Sequence, residues 1–381
     1  MNFYKKDNIL RRFILFFLLG FSLILGHIWA ADDHVGPYFS RPVGTSVSSE
    51  EGSNQKNVTL IDTGVIRGYH WWLYRNSSYP CGRSGFHELL VLQKGDEKNV
   101  RNLLVYFHGG GVGLFKKDGT YNSPDNLKNM LYAERERKTL FGSALGDGLV
   151  KIFREEKNWR ILVPSYCYHD FYFGKGEYSA DDGFQRWGYL AAKQAIDFTE
   201  EEFPTAKVIT YGTSAGASGA FYLGYQRKEV AGIVMDSNSM DLSSMKENCQ
   251  KGISTCCSNY SDVCAGYKRG GDGMKVVAER IGFILGKDEP HIIIQKHEVD
   301  KPIYYIWNQN DQYYKKENAK YYFLNLHNAI QKYNPQGKSV ARKVCISNPA
   351  NKDLPCTVHS PSKFDTQETR RIAKWINSLL D

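Results

Sequence analysis

The chain has 381 residues, 42% hydrophobic and 24% charged, a globular balance that excludes collagen-like, coiled-coil and wholly disordered classes. Its net charge of +8 comes from 49 basic and 41 acidic residues with no dense Lys/Arg tract, which argues against a nucleic-acid footprint. The mean hydropathy is negative, which argues against a polytopic membrane protein, and the unusual features are eight cysteines and 25 tyrosines.

The N-terminus comes first. Lys5, Lys6, Arg11 and Arg12 precede an apolar run at 13–26 (FILFFLLGFSLILG), and Ala30 and Ala31 follow it. A basic start, a short apolar run and small residues predict a secretory signal peptide over 1–31, with an uncleaved anchor as the alternative. Residues 32–381 are then the mature chain, with no membrane span, in an extracellular or periplasmic location. Export carries the expectation that the cysteines are oxidised.

Short β-rich segments follow at 65–66, 71–74 and 88–93. The apolar run at 102–107 (NLLVYF) ends at glycines, as a buried strand does, and 159–163 (WRILV) has the same character. The spacing of apolar residues predicts a helix over 184–198. A strand at 207–211 and a helix at 214–225 come next. Further strands are expected at 232–235 and 302–307, and amphipathic helices at 317–333 and 367–380. This alternation predicts one α/β domain with a mostly parallel sheet and helices on both faces. A Cys-rich stretch at 237–273 interrupts the pattern and reads as an insertion or cap.

The strongest chemical signal is Gly212-Thr213-Ser214-Ala215-Gly216, a G-x-S-x-G between a predicted strand and a predicted helix. Glycines on both sides permit a sharp turn, which leaves the Ser214 hydroxyl at a helix N-terminus that favours negative charge. The second signal is His108-Gly109-Gly110-Gly111, directly after the strand at 102–107. Glycines let backbone N–H groups approach a developing oxyanion. Candidate donors are Ala215 and one or more of Gly110, Gly111 and Val112. His108 reads as a loop-shaping hydrogen-bonder. No Lys-Ser/Thr follows, so the loop is not a P-loop.

A base and its orienting acid follow the serine in this motif order. His359 sits in a loop before the last helix and is the preferred base. His291 and His297 precede the preferred acid, and His327 lies within a helical pattern. Asp311 follows the strand at 302–307 by a short loop, where sites on α/β sheets gather. Asp236, at the end of the strand at 232–235, is the alternative acid; its other reading is a brace for the serine turn. His169 and Asp170 have no third ligand at a recognised spacing, so neither a metal nor a cofactor is expected. The segment 166–173 (YCYHDFYF) is expected to form an aromatic wall of the site. Asn57, Asn76 and Asn259 head N-x-S/T sequons.

The order of these motifs resembles the pectin acetylesterase and Notum family of α/β-hydrolases. The resemblance rests on Cys81-Gly82-Arg83-Ser84-Gly85, Phe107-His108-Gly109-Gly110-Gly111, Val163-Pro164-Ser165-Tyr166-Cys167 with Asp170, Gly212 to Ala217, Asp236-Ser237, Asp311, and Cys356 to His359. It implies an α/β-hydrolase fold and a Ser214, Asp311, His359 triad, with an oxyanion hole from the glycine run and Ala215. It also implies an acylated polysaccharide or lipid or protein ester as partner. It pairs Cys81 with Cys167. Val112-Gly113 stands where the family commonly carries a Trp-Cys sequence, so acyl specificity does not carry over. Cys345 and Cys356 bracket the approach to His359 and are expected to pair. Cys249, Cys256, Cys257 and Cys264 are expected to staple the insertion, with connectivity open. The rival readings are a general carboxylesterase or lipase, and a non-catalytic binding module.

Overall fold

In the strand Arg101–Phe107, alternate side chains enter different apolar layers. Leu103, Val105 and Phe107 join one, and Leu104 and Tyr106 the other. A strand buried on both faces requires cover on both sides, and helices supply it.

The computed structural model describes residues 57–81, 84–95, 99–110, 133–179, 184–238, 240–244, 247, 278–311, 319–333, 337–347, 356–364 and 366–380. All of them belong to one compact unit, Ser53–Asp381. The expected signal peptide, Gly111, Val112, Asn259, and Cys249, Cys256, Cys257 and Cys264 of the insertion lie outside the described residues.

The elements in chain order are β1 (Val58–Ile66), β2 (Tyr69–Pro80), β3 (Phe86–Lys94), β4 (Arg101–Phe107), α1 (Ala133–Ala144), α2 (Leu149–Glu155) and β5 (Trp159–Pro164). Then come β6 (Glu177–Ser179), β7 (Phe184–Arg186), α3 (Gly188–Glu202), β8 (Thr205–Thr213), α4 (Ala215–Tyr225) and β9 (Val230–Asp236). The last are α5 (Pro290–Gln295), β10 (Ile303–Asn308), α6 (Ala319–Tyr333), β11 (Val340–Val344) and α7 (Gln367–Leu380).

Nine strands form one sheet in the order β1-β2-β3-β5-β4-β8-β9-β10-β11. From β5 to β11 every neighbouring pair is parallel; β1, β2 and β3 add an antiparallel flank. This is an α/β-hydrolase fold: a mostly parallel sheet with helices on both faces. Helices α3, α4 and α6 cover one face, and α1, α2 and α7 the other. Arg67 and Gly68 both take positive φ in the two-residue turn joining β1 to β2, the geometry that matches hairpin twist.

Helix α4 is buried along nearly its whole length. Its small residues explain how it lies so close: an added Cβ on Gly219 would sit 2.9 Å from Phe107 and Tyr172, and one on Gly224 would sit 2.5 Å from Thr210 Oγ1. Helix α7 is capped by Thr366, whose hydroxyl accepts the Thr369 N–H at 3.2 Å.

The helix expected over 184–198 is corrected. Residues 184–186 are a strand paired with β6, and the helix starts at Gly188. Its start is set by tertiary structure: the Gly188 N–H donates to Asp170 Oδ2 at 2.8 Å. Among the described residues no helix is long and apolar enough to cross a membrane. Among the described residues there are two disulfides, Cys81–Cys167 and Cys345–Cys356, with Cα atoms 5.5 and 4.1 Å apart, within reach of a bridge.

Candidate active site

Parallel strands β4, β8, β9 and β10 end side by side; His108 to Gly110, Ser214 and Asp311 follow the ends of β4, β8 and β10, and Asp236 is the last residue of β9. Crevices beyond the carboxyl ends of such strands are where α/β sheets bind ligands.

Ser214 joins β8 to α4 as the N-cap of α4, with φ 55° and ψ −127°. Positive φ at a non-glycine residue is strained, and such strain persists only where its surroundings hold it. Two contacts do so here: the Ser214 N–H donates to the Asp236 carbonyl at 2.8 Å, and the Ser214 carbonyl accepts from Ala217 N–H at 3.0 Å. The flanking glycines are sterically required. A Cβ on Gly212 would sit 2.0 Å from the Gly216 oxygen, and one on Gly216 would sit 2.0 Å from the Phe107 oxygen.

The glycine loop packs directly on this turn. A Cβ on Gly109 would stand 2.8 Å from Ser214 Cβ and 3.5 Å from Ser214 Oγ. Gly110 lies against Tyr166 and His169. Ala215 is buried at the start of α4. His108 is also buried and shapes the loop: its Nδ1 is 2.9 Å from the Gly109 oxygen, and its Nε2 is 2.8 Å from Glu136 Oε1. Burial pushes the Glu136 carboxyl up, but neighbouring His108 and His169 and the Tyr166 N–H outweigh it and hold it below the usual range. Glu136 was not readable in advance. It sits in a charged run, Ala133 to Lys138, with no pattern separating it from Glu134.

His359 Nδ1 is 2.6 Å from Asp311 Oδ2. The Asp311 side chain is fully buried, whereas that of His359 keeps 13% exposure. Asp311 follows β10, and His359 lies in the loop before a short 3-10 helix, Pro361–Lys363. Asn308 ties the two segments that approach this loop. Its Nδ2 donates to the carbonyls of Ile346 and Val358 at 2.6 and 3.1 Å, and its Oδ1 accepts from Ile346 N–H at 3.2 Å. The Cys345–Cys356 bridge closes the same loop.

Asp236, weighed above as the other acid, is occupied elsewhere. Its Oδ2 accepts the Ser362 N–H at 2.8 Å and also the Ser362 hydroxyl, and its Oδ1 accepts the Ser237 hydroxyl at 2.8 Å. Burial pushes its carboxyl up to about 6 despite those hydrogen bonds.

The aromatic segment is corrected. Tyr166, Tyr168, Tyr172 and Phe173 are buried, so they form core behind the glycine loop, and only Phe171 is partly open. Tyr166 and Tyr172 stack at 4.5 Å between ring centroids. His169, Phe171 and Tyr172 all take positive φ. Asp170 clamps this turn: Oδ1 accepts the Tyr172 N–H at 3.0 Å while Oδ2 holds Gly188, and burial pushes its carboxyl up to about 6. Among the described residues no three His, Cys, Asp or Glu side chains gather in a metal-holding cluster.

No protein-family model matches the chain, and no curated protein matches it. Solved structures do. An S-formylglutathione hydrolase from Agrobacterium tumefaciens is 10% identical, with 84% of this chain and 99% of that one covered and a TM-score of 0.48. A fungal esterase from Rhizomucor miehei is 14% identical, with 86% and 85% covered and a TM-score of 0.44. An esterase from Pyrococcus furiosus is 13% identical, with 78% and 89% covered and a TM-score of 0.39. Likeness at this level carries no argument about reaction or substrate, so the chemistry rests on the residues themselves.

Proposed function

We propose that the chain is a serine carboxylic-ester hydrolase, with Ser214 as nucleophile, His359 as general base and Asp311 as the acid that orients it. The observation that carries this reading is the buried Asp311 carboxylate against His359 Nδ1 at 2.6 Å, on a loop whose Ser360 and Ser362 hydrogen bond to Ser237 and Asp236, the latter holding the Ser214 N–H. Ser214 attacks the ester carbonyl and His359 Nε2 takes its proton. The same ring then returns the proton to the leaving alcohol. Asp311 holds the tautomer with Nδ1–H and stabilises the imidazolium that forms. The N–H of Ala215 and those of the glycine loop, Gly110 with Gly111 and Val112, are the proposed oxyanion donors, each worth about 10²–10³ in rate. Water then hydrolyses the acyl-enzyme.

The reading requires no metal or cofactor. It includes export, which the N-terminal sequence and the two bridges support. Within it, the general carboxylesterase is the broader form. The narrower form, removal of an acetyl or longer acyl group from a polysaccharide or a lipid or protein ester, rests on the motif resemblance to pectin acetylesterases and Notum.

The test is hydrolysis of aryl esters, from acetate to long-chain acyl, by the wild type and Ser214→Ala. Wild-type activity that Ser214→Ala lacks supports the serine mechanism; equal rates from the two proteins sink it. Preference for acetate favours a deacetylase, and preference for long chains favours a lipase-like deacylase.

A further inference from the structure

We propose that Asp236 is a positioning residue that sets the His359 loop in register with the Ser214 turn, through Ser237, Ser360 and Ser362. The inference rests on the serine-hydrolase reading above and assigns Asp236 a part in it distinct from that of Asp311.

The hydrogen bonds run in one consistent direction. The Asp236 carbonyl accepts the Ser214 N–H at 2.8 Å, so the end of β9 holds the nucleophile's backbone. Its carboxylate reaches the other way. Oδ2 accepts both the N–H and the hydroxyl of Ser362. Because the Ser362 hydroxyl proton is thereby committed, Tyr211 OH on β8 must be the donor in its 2.7 Å contact with Ser362 Oγ. Oδ1 accepts the Ser237 hydroxyl, and Ser237 Oγ in turn accepts the Ser360 N–H at 3.2 Å. His359 is covalently next to Ser360, and Ser362 follows two residues on. The base is therefore held from Asp311 on its ring and from Asp236 on its backbone.

Strain is a second, independent observation. Ser237 and Ser360 take positive φ, 56° and 59°. Neither is glycine, so each conformation costs free energy that surrounding bonds must offset. The Asp236 network connects the two strained residues. Asp236, Ser237, Ser360 and Ser362 are all buried, so water does not substitute for a lost partner. All three donors that reach the carboxylate suit acceptor-only oxygens. An amide at this position would aim an N–H₂ at one of them. The titratable groups that face the carboxylate are His359 from its loop and Tyr211 from β8, with Tyr106 of β4 stacked on Tyr211 at 4.8 Å.

The experiment compares wild type, Asp236→Asn, Ser362→Ala and Ser214→Ala on an aryl acetate across pH. A fluorophosphonate probe reports Ser214 reactivity alongside. Asp236→Asn is expected to lower kcat about 10- to 100-fold with KM near the wild-type value, the signature of misplaced groups. Ser362→Ala keeps the carboxylate and the Ser362 N–H, and is expected to lower kcat about tenfold. Fluorophosphonate labelling should slow in parallel with kcat in both variants.

Wild-type kcat in folded Asp236→Asn overturns the proposal. So does a loss of activity that matches only the fraction unfolded. If Asp236→Asn does not fold, Ser362→Ala decides: unchanged kcat and unchanged labelling overturn it. Activity retained by Ser214→Ala is a different outcome, because it removes the parent reading.

Discussion

His359 Nδ1 and Asp311 Oδ2 are 2.6 Å apart, with the carboxylate fully buried and the imidazole partly open. The contact predicts a large kinetic effect. Asp311→Asn should keep the shape of the site but favour the wrong imidazole tautomer, lowering kcat by about 10⁴ with a much smaller effect on KM. Steady-state hydrolysis of an aryl ester measures it. A wild-type rate in this variant, with a dead Asp236→Asn, moves the acid's role to Asp236.

The Cys345–Cys356 bridge closes the loop that leads to His359. Replacing both residues with serine should destabilise the fold by about 3 kcal/mol, as the chain-entropy account gives for loops of this size. Activity should fall more steeply with temperature than folding does, because the base loosens first. Parallel thermal melts by circular dichroism and by residual esterase rate check this. Coincident curves for the variant would count against a role for the bridge in holding the base.

At Gly216 the steric case is severe, since an added Cβ would lie 2.0 Å from a backbone oxygen of Phe107. Gly216→Ala should therefore shift both β4 and α4 and cost about 3 kcal/mol. Gly142, whose Cβ position is open, serves as the control. Urea midpoints for Gly216→Ala and Gly142→Ala should differ clearly, the second staying near wild type.

His87 is buried, its ring nitrogen 3.2 Å from the Ser165 oxygen, and burial pushes it down to about 4. The unfolded chain takes up this proton near the ordinary value of 6.5, while the folded chain does not until about 4. Stability from this group is thus present above about pH 6.5 and is lost as pH falls toward 4, by about 3 kcal/mol. Asp170 and Asp236, raised to about 6, act with the opposite sign, favouring the fold as pH falls from about 6 toward 4. Urea unfolding of wild type and His87→Gln across this range separates the two. The variant should be less sensitive to acid, and identical slopes would contradict the assignment.

Two sequons part company in the structure. Asn76 is fully buried and its Nδ2 donates to Gln194 Oε1 at 2.8 Å, whereas Asn57 is exposed. Expression in a glycosylating host should give occupancy at Asn57 and none at Asn76 in folded protein. Peptide mass spectrometry after deglycosylation in heavy-oxygen water reads each site.

The parts of the site legible in the sequence were those with a local cause. Ser214 and the His108 loop stand out because apolar strands run straight into glycine turns, and a turn's steric demands are written in its own residues. Asp311 and Asp236 looked alike because both lie at or just past the carboxyl end of a strand; the direction of their partners separates them, and that is tertiary information. Helix α1 carries the run AERERK, so its buried face does not announce itself, and with it Glu136 stayed hidden. The edge strand β11 (VARKV) has too few alternating apolar residues to signal a strand. Residues 166–173 read as a ligand wall because aromatics serve cores and surfaces equally well, and here the core took them.

The two bridges are also expected to differ in when each forms during folding. Cys345 and Cys356 are 11 residues apart in the chain, and Cys81 and Cys167 are 86 apart. Closing the longer loop from a random chain costs about 2 kcal/mol more. The short bridge therefore closes by local encounter. The long one awaits the pairing of β3 with β5, which brings Glu88 O against Ser165 N two residues before Cys167. In oxidative refolding the order in which these thiols disappear is a clock: the first pair marks local closure, and the second marks assembly of the sheet.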